Sequence, residues 1–388
     1  MRLNLELPTL KLYFTLDEEF CSYLEERGVT YAAARQLSKL VVSLLRGLKK
    51  SIASTNRVYY PEFSYKEVRK QLKKLAKSFK HFNEGLINRI TKSWDKKARC
   101  FIICDDYLLP RYTKTAYRSD VFRDPVKKKI GTGHNIVDTI IATKGLEMTV
   151  DFGIQPKNST IPKTKRALTQ IKQAFKQLCL AKARLTRIRV VMDGGYTNMT
   201  VIPDLKELKV KYIGTIRRNK KYKMFGQDAQ VHKLFTTNPK KFKTVNETQY
   251  YYEHHTLNFT DLGRHQVFTI RRGHEKRIKF YITNDLKMTP FTFLTCLHER
   301  WWIEQGHRDL KQHCGLRQMF VWSKNSVTGI TKLCNLMKNF LTVKVAEAGI
   351  SLRDYPFESL IEKEFPQFEQ NLLKSALETG ILKDLVMT

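Results

Sequence analysis

The chain has 388 residues, 42% hydrophobic and 11% aromatic, enough for two or three domains with buried cores and too apolar for a disordered polymer. With 70 Lys+Arg against 37 Asp+Glu, the net charge of +33 calls for a polyanionic partner, nucleic acid first. No apolar run is long enough to span a membrane, no signal segment opens the chain, and the seven scattered cysteines form no Cys-x-x-Cys pair, so a membrane protein, a secreted disulfide scaffold and a structural zinc site are not expected.

Residues 1–98 read as helical. Thr15 to Glu18 and Ser64 to Glu67 are capping boxes, Gly28 closes a first helix, and residues 30–53 carry an apolar stripe of Leu37, Leu40, Val41, Leu44, Leu45 and Leu48. A lysine-rich helix to about residue 79 and another over 83–93 complete a region whose basic faces suit DNA phosphates or a solvated scaffold.

The period then changes. Residues 100–104 are an apolar run that reads as a buried strand and delivers Asp105 and Asp106 at its end. Residues 135–143 and 146–154 make an antiparallel hairpin about Lys144-Gly145, and a helix spans 163–183. A fourth strand, 188–192, ends in Asp193-Gly194-Gly195; a helix about 200–208 and a fifth strand at 212–216 follow. Five strands in this order describe a mixed α/β sheet. Residues 217–288 form a basic, β-rich insertion that starts at Arg217, Arg218, Lys220 and Lys221. Residues 289–345 return to helix, with Pro290 at a first helical position and Gly315 as the stop, and 346–388 are again mostly helical.

One stretch, residues 300–311, carries the densest chemistry. On a single helix Arg300, Glu304, His307 and Lys311 share a face, while Trp301, Ile303 and Leu310 spread over the other sides; Trp301 and Trp302 are expected to pack in the core. A glutamate there can hold a divalent cation while Arg300, Arg308 and Lys311 meet phosphate oxygens. The bland alternative is a solvated face of i,i+4 ion pairs. Strand-end aspartates change the balance. Asp105 or Asp106, with Asp193, would lie outside the carboxyl ends of neighbouring strands, where ligands of α/β sheets collect. Three carboxylates without His or Cys partners suit hard cations such as Mg²⁺, and two ions about 3.5–4 Å apart can clamp both oxygens of a phosphodiester exchange.

The element order, the acidic triad and the 300–311 stretch resemble the DDE transposases of bacterial and archaeal insertion sequences, more narrowly the insertion sequence four group. That group's signature spaces Arg, Glu and Lys as Arg300, Glu304 and Lys311 are spaced; Leu297 stands where its tyrosine would be. Asp193 to Tyr196 is similar to the second aspartate and its turn, and residues 281–285 to the strand end before the glutamate helix. The resemblance implies an RNase H-like core over 99–216 and 289–345, interrupted by the insertion. Asp105, Asp193 and Glu304 would be the metal ligands, with Asp106 the alternative first carboxylate and Mg²⁺ (or Mn²⁺) the cofactor. It also implies a terminal-repeat-binding region at 1–98, cut-and-paste transposition, double-stranded DNA as partner, a homodimer on paired ends, and a cytoplasmic, nucleoid-associated location. Several relatives hold a flipped base on a tryptophan of the insertion; this insertion has none, and Tyr222, Phe225 and Tyr250 are the aromatics that could serve. A metal-dependent nuclease on the same fold, or a DNA-binding protein without activity, are the rival readings.

Overall fold

The computed structural model describes residues 16–45, 64–93, 98–111, 115–123, 129–143, 146–225, 227–235, 241–245, 247–273, 275, 277–317 and 321–347. They fall into two compact units, one made of Ile87–Lys114 with Arg118–His307, the other of Met1–Leu86, Thr115–Tyr117 and Arg308–Thr388. Among the described residues no helix is long and apolar enough to cross a membrane.

The first of these is built on β1 (Cys100–Pro110), β2 (Asp120–Arg123), β3 (Ile130–Thr143), β4 (Leu146–Ile154), β5 (Ile188–Met192) and β6 (Lys211–Ile216), with helices α4 (Lys163–Leu180) and α5 (Ile202–Glu207) after β4 and β5. Three helices precede these in the chain: α1 (Leu16–Glu26), α2 (Tyr31–Leu45) and α3 (Tyr65–Ser93). β1 runs antiparallel to β3 and parallel to β5, β5 parallel to β6, and β4 antiparallel to β3. The five strands expected from sequence therefore stand in the order β4-β3-β1-β5-β6, a mixed α/β sheet compatible with an RNase H-like fold. The apolar runs explain the centre: Ile102, Ile103, Val190, Val191 and Ile213 are all buried.

β1 is longer than its apolar run predicts. The parallel ladder with β5 covers only Cys100 to Cys104, and beyond it β1 continues against β3 alone, Asp105 opposite Asp138 and Tyr107 opposite Ile136. The two aspartates thus sit within a strand, at the point where its parallel neighbour ends.

The β-rich insertion does not stand apart from this sheet. Its strands are β7 (Lys221–Met224), β8 (Gln227–Gln230), β9 (Lys241–Val245), β10 (Thr248–Phe259), β11 (Gly263–Arg272) and β12 (Lys279–Thr283), with the single-turn α6 (Val231–Leu234) between β8 and β9. β12 pairs antiparallel with β6, so core and insertion share one 12-stranded sheet. α7 (Pro290–Glu299) covers it, its Phe293 ring stacked on Phe268 at 4.0 Å. Thr289 caps α7, accepting from the Thr292 N–H at 3.2 Å, and Pro290 opens it.

The expected single helix through Glu304 is broken in two. α7 stops at Glu299, and α8 (Trp301–Gln312) starts after Arg300. The Arg300 N–H donates to Leu297 O at 3.2 Å and the Ile303 N–H to Arg300 O at 3.3 Å, a tightened i→i−3 turn.

In the other unit α9 (Lys324–Glu347) packs with α1, α2 and α3. Phe20 and Phe340 meet edge to face at 5.2 Å, Lys344 pairs with Glu19 at 2.6 Å, and a Cβ on Gly329 would lie 2.7 Å from the Leu72 carbonyl oxygen. The Ser64–Glu67 capping box forms as read, with reciprocal bonds of 3.2 and 3.0 Å. The two helices expected over 65–93 are one, because Val68, Leu72, Leu75, Phe79, Phe82 and Leu86 keep a single buried stripe and no proline interrupts it. The capping box at Thr15, the end of the 30–53 helix and the helices of 346–388 lie outside the described residues.

Asp285, just past β12, accepts from Lys211 at 2.7 Å and from the nearly buried Arg189 at 3.4 Å, tying β5 and β6 to the insertion's return. Asp285→Ala strands the Arg189 guanidinium, and we expect a loss of about 3–5 kcal/mol in stability, read as a lowered urea midpoint.

Candidate active site

Alternation along β1 sends Asp105 and Asp106 to opposite faces of the sheet. Asp106 faces the α4 side. Its Oδ1 accepts from Lys163 Nζ at 3.0 Å and from the buried Tyr196 hydroxyl at 2.8 Å, so it ties the start of α4 to the turn after β5. Burial raises the Tyr196 phenol far above its usual range, with Cys104 and Asp106 adding to the effect, so it stays a proton donor to Asp106.

Asp105 faces the helices that follow the insertion. Its Oδ2 accepts from Arg300 Nη1 at 2.9 Å, and Arg300 Nη2 donates to Glu304 Oε1 at 2.6 Å. One guanidinium therefore joins the first carboxylate to the third, Arg300 reaching Asp105 across 195 residues of chain. Asp105 is 16% exposed and Glu304 50%, so the clamp runs from the sheet interior to solvent. Burial pushes the Asp105 carboxyl up to about 6; Arg300 and then His307 pull against that, and Asp193 adds to it. Asp193 is exposed, just beyond β5. Burial alone would weaken the Arg300 cation, but Asp105 and Glu304 outweigh it and its pKa is raised.

Three of the expected residues are thus brought into contact, Asp105 and Glu304 through Arg300; the charge of Asp193 reaches Asp105, but the three carboxylates are not gathered into one group. Asp106 is turned to the opposite face. Arg308 and Lys311 follow in the last turns of α8, Arg308 exposed and Lys311 half-buried. In the insertion Arg217 and Arg218 are exposed, whereas Lys220 pairs with Asp261 and Lys221 lies 3.7 Å from Asp228. The expectation that both tryptophans are core holds for Trp302, 4% exposed with its indole N–H donating to Glu299 at 3.0 Å, and fails for Trp301, 45% exposed. The broken helix turns Trp301 outward, into a cavity of about 400 Å³ walled by Tyr250, Arg272, Tyr281, Arg300, Trp301 and Glu304. Of the other aromatics singled out in the insertion, Tyr222 is buried and Phe225 is almost fully exposed.

One residue escaped the sequence reading, and a second was read only as part of the Glu304 face. Asp138 lies in an apolar strand, and a carboxylate within Ile136-Val137-Asp138-Thr139-Ile140 was the signal for it. His307 was placed on the Glu304 face but is buried, its Nε2 3.3 Å from Asp138 Oδ2.

The family model described as transposase DDE domain matches residues 99–339, well over half of the chain. The chain belongs to the DDE transposase family. A search of curated proteins found no match. Its function is that of a transposase, an enzyme that acts on DNA, and transposases of this family depend in general on divalent metal. Among the described residues no three His, Cys, Asp or Glu side chains are gathered into a group that could hold an ion. The donor chemistry nevertheless fits a hard cation: Asp105, Asp193 and Glu304 offer only carboxylate oxygen, and a guanidinium already stands between two of them.

The raised Asp105 carboxyl has a consequence for stability. The folded state keeps that proton up to about pH 6, whereas an ordinary aspartate releases it near 3.8, so between those values the folded state binds more protons than the unfolded one. Stability of the metal-free protein is therefore expected to fall as pH rises through that window. Thermal melts from pH 4 to 7 should show the decline, and Asp105→Asn should flatten it.

Proposed function

We propose that this chain is the cut-and-paste transposase of an insertion sequence, of the insertion sequence four type. It would bind the terminal inverted repeats of its element as a homodimer on paired ends, hydrolyse the phosphodiester at each end, and join the freed 3′-hydroxyls to target DNA. The observation that carries the reading is the Asp105–Arg300–Glu304 clamp, which brings a strand carboxylate and a helix carboxylate from opposite ends of the matched region to one phosphate-binding cation.

Asp105, Asp193 and Glu304 would hold Mg²⁺ or Mn²⁺, which when bound as a pair activates the attacking oxygen and stabilises the departing one. Arg300 would release one carboxylate and take a scissile-phosphate oxygen instead, a bidentate exchange for which its planar fork is suited. Arg308 and Lys311, with Arg217, Arg218, Lys220 and Lys221, would contact DNA phosphates. The cavity beside Glu304 fits one nucleotide, its base against Tyr250, Tyr281 or Trp301 and its phosphate toward Arg272.

The test is incubation with Mg²⁺, a labelled element-end duplex and a supercoiled target. Cleavage followed by a joined product, lost in Asp193→Ala, supports the proposal; cleavage without joining would make the protein a nuclease, and end binding alone a DNA-binding protein. Within the same assay the two neighbouring aspartates separate. Asp105→Asn should lower cleavage about a thousandfold, ~4 kcal/mol of barrier. Asp106→Asn keeps an acceptor for Tyr196 and loses only the ion pair to half-exposed Lys163, so it should cost about 1 kcal/mol of stability and leave cleavage within a few-fold of wild type.

A further inference from the structure

On the Asp105 face of the sheet a second carboxylate is almost completely buried. Asp138 on β3 is the cross-strand neighbour of Asp105 and 1% exposed. Its Oδ2 lies 3.3 Å from Nε2 of His307, itself 5% exposed, while its Oδ1 and the His307 Nε2 have no hydrogen bond of good geometry. The His307 ring lies against Tyr107 of β1, centroids 4.1 Å apart. So one imidazole touches both strands that frame Asp105, and it sits one helical turn beyond Glu304 on α8.

We propose that Asp138 and His307 are a positioning pair for the DDE site: they fix the rotation of α8 over β1 and β3, and so the place where Glu304 meets Asp105. The proposal rests on the transposase reading above. A buried, incompletely bonded carboxylate–imidazole pair adds little to stability compared with two apolar side chains of similar volume, so stability does not account for it. Geometry does. The Arg300 turn leaves α8 free of α7's regular hydrogen bonding at its first residues, and Glu304 is half exposed, with Arg300 its contact to the sheet. On a helix of radius about 5–6 Å a 20° rotation displaces a side chain by roughly 2 Å. A 1 Å error in a reacting geometry can cost about a hundredfold in rate. Within this unit His307 gives α8 a polar contact to the strand beside Asp105.

The test compares four variants of the full chain with wild type, reading Mn²⁺ affinity of the free protein by calorimetry, Kd for an element-end duplex, the kcat of cleavage and the melting temperature. Asp138→Ala and His307→Ala should each weaken Mn²⁺ binding and lower kcat by about tenfold or more, with Kd for DNA unchanged. The pair Asp138→Asn with His307→Gln restores a hydrogen bond across the same gap and should recover most of both losses. The pair Asp138→Leu with His307→Leu fills the space without a directional contact; it should melt at or above the wild-type temperature and remain impaired. An apolar pair as active, and as tight for Mn²⁺, as wild type would overturn the proposal. If the apolar pair does not fold, an amide pair no better than the alanine variants overturns it equally. Absence of cleavage in wild type itself would remove the transposase reading, while the Mn²⁺ affinities would still decide whether the pair positions the carboxylates.

Discussion

Two carboxylates, Asp105 and Glu304, are brought close with the charge of Asp193 nearby, and the fold answers their mutual repulsion with Arg300. A single guanidinium takes one oxygen of Asp105 and one of Glu304, while burial and the field of Asp193 leave the Asp105 carboxyl with a raised pKa of about 6. The cluster is held short of neutrality. A group in this state favours any arriving positive charge, and a divalent ion supplies twice what the arginine does. The clamp is therefore an internal counter-ion for Asp105 and Glu304, and on the proposed reading the same guanidinium fork would be available to a phosphate.

The clamp depends on where the sheet ends its parallel pairing. β5 accompanies β1 only as far as Cys104, and the next residue is Asp105. From there one face of β1 looks toward α8 and the other toward α4, so two consecutive aspartates serve different purposes. Asp106 ties α4 and the Asp193 turn through Lys163 and Tyr196; Asp105 meets the cation. The arrangement needs the alternation of a regular strand, and the ladder of β1 with β3 continues through Asp105 to Pro110 without a bulge.

Much of this was legible in the residues, for an identifiable reason. Short apolar runs such as 100–104 and 188–192 become buried central strands because both faces of a covered sheet must be apolar, and the acidic residues after them mark where that requirement ends. The spacing of Arg300 and Glu304 on one helical face likewise survives the local break. What did not show were features set by tertiary contact. The tightened turn at Arg300 replaces two ordinary helical bonds, and no glycine or proline announces it. It carries Trp301 outward, though tryptophan in a helix beside Ile303 reads as core. His307 shares the Glu304 face by spacing, but its burial depends on β3, more than 150 residues earlier in the chain. The opposed duties of Asp105 and Asp106 follow from a strand that outlasts its first apolar run, and the two aspartates in its middle hid the continuation through Tyr107, Leu108 and Leu109.

The charge of the whole chain now acquires a narrower meaning. A surplus of +33 draws a polyanion toward the protein from a distance, but several insertion lysines counted in it are already matched by acids: Lys220 by Asp261, and Lys221 and Lys223 by Asp228. Three lysines against two aspartates leave a single net positive charge there. Asp105, Asp193 and Glu304 are acidic, with Arg300 between two of them and Arg272 and Lys279 on the wall of the cavity beside Glu304. Long-range attraction and local chemistry therefore have opposite signs, and a phosphodiester drawn in by the basic surface meets carboxylates at the last few ångströms. On the proposed reading, cations held between carboxylate and phosphate would resolve that conflict, and a binder without them would gain nothing from carrying Asp105, Asp193 and Glu304 in its groove. The sign reversal is the physical reason to read these three residues as chemistry rather than as part of a DNA-binding face.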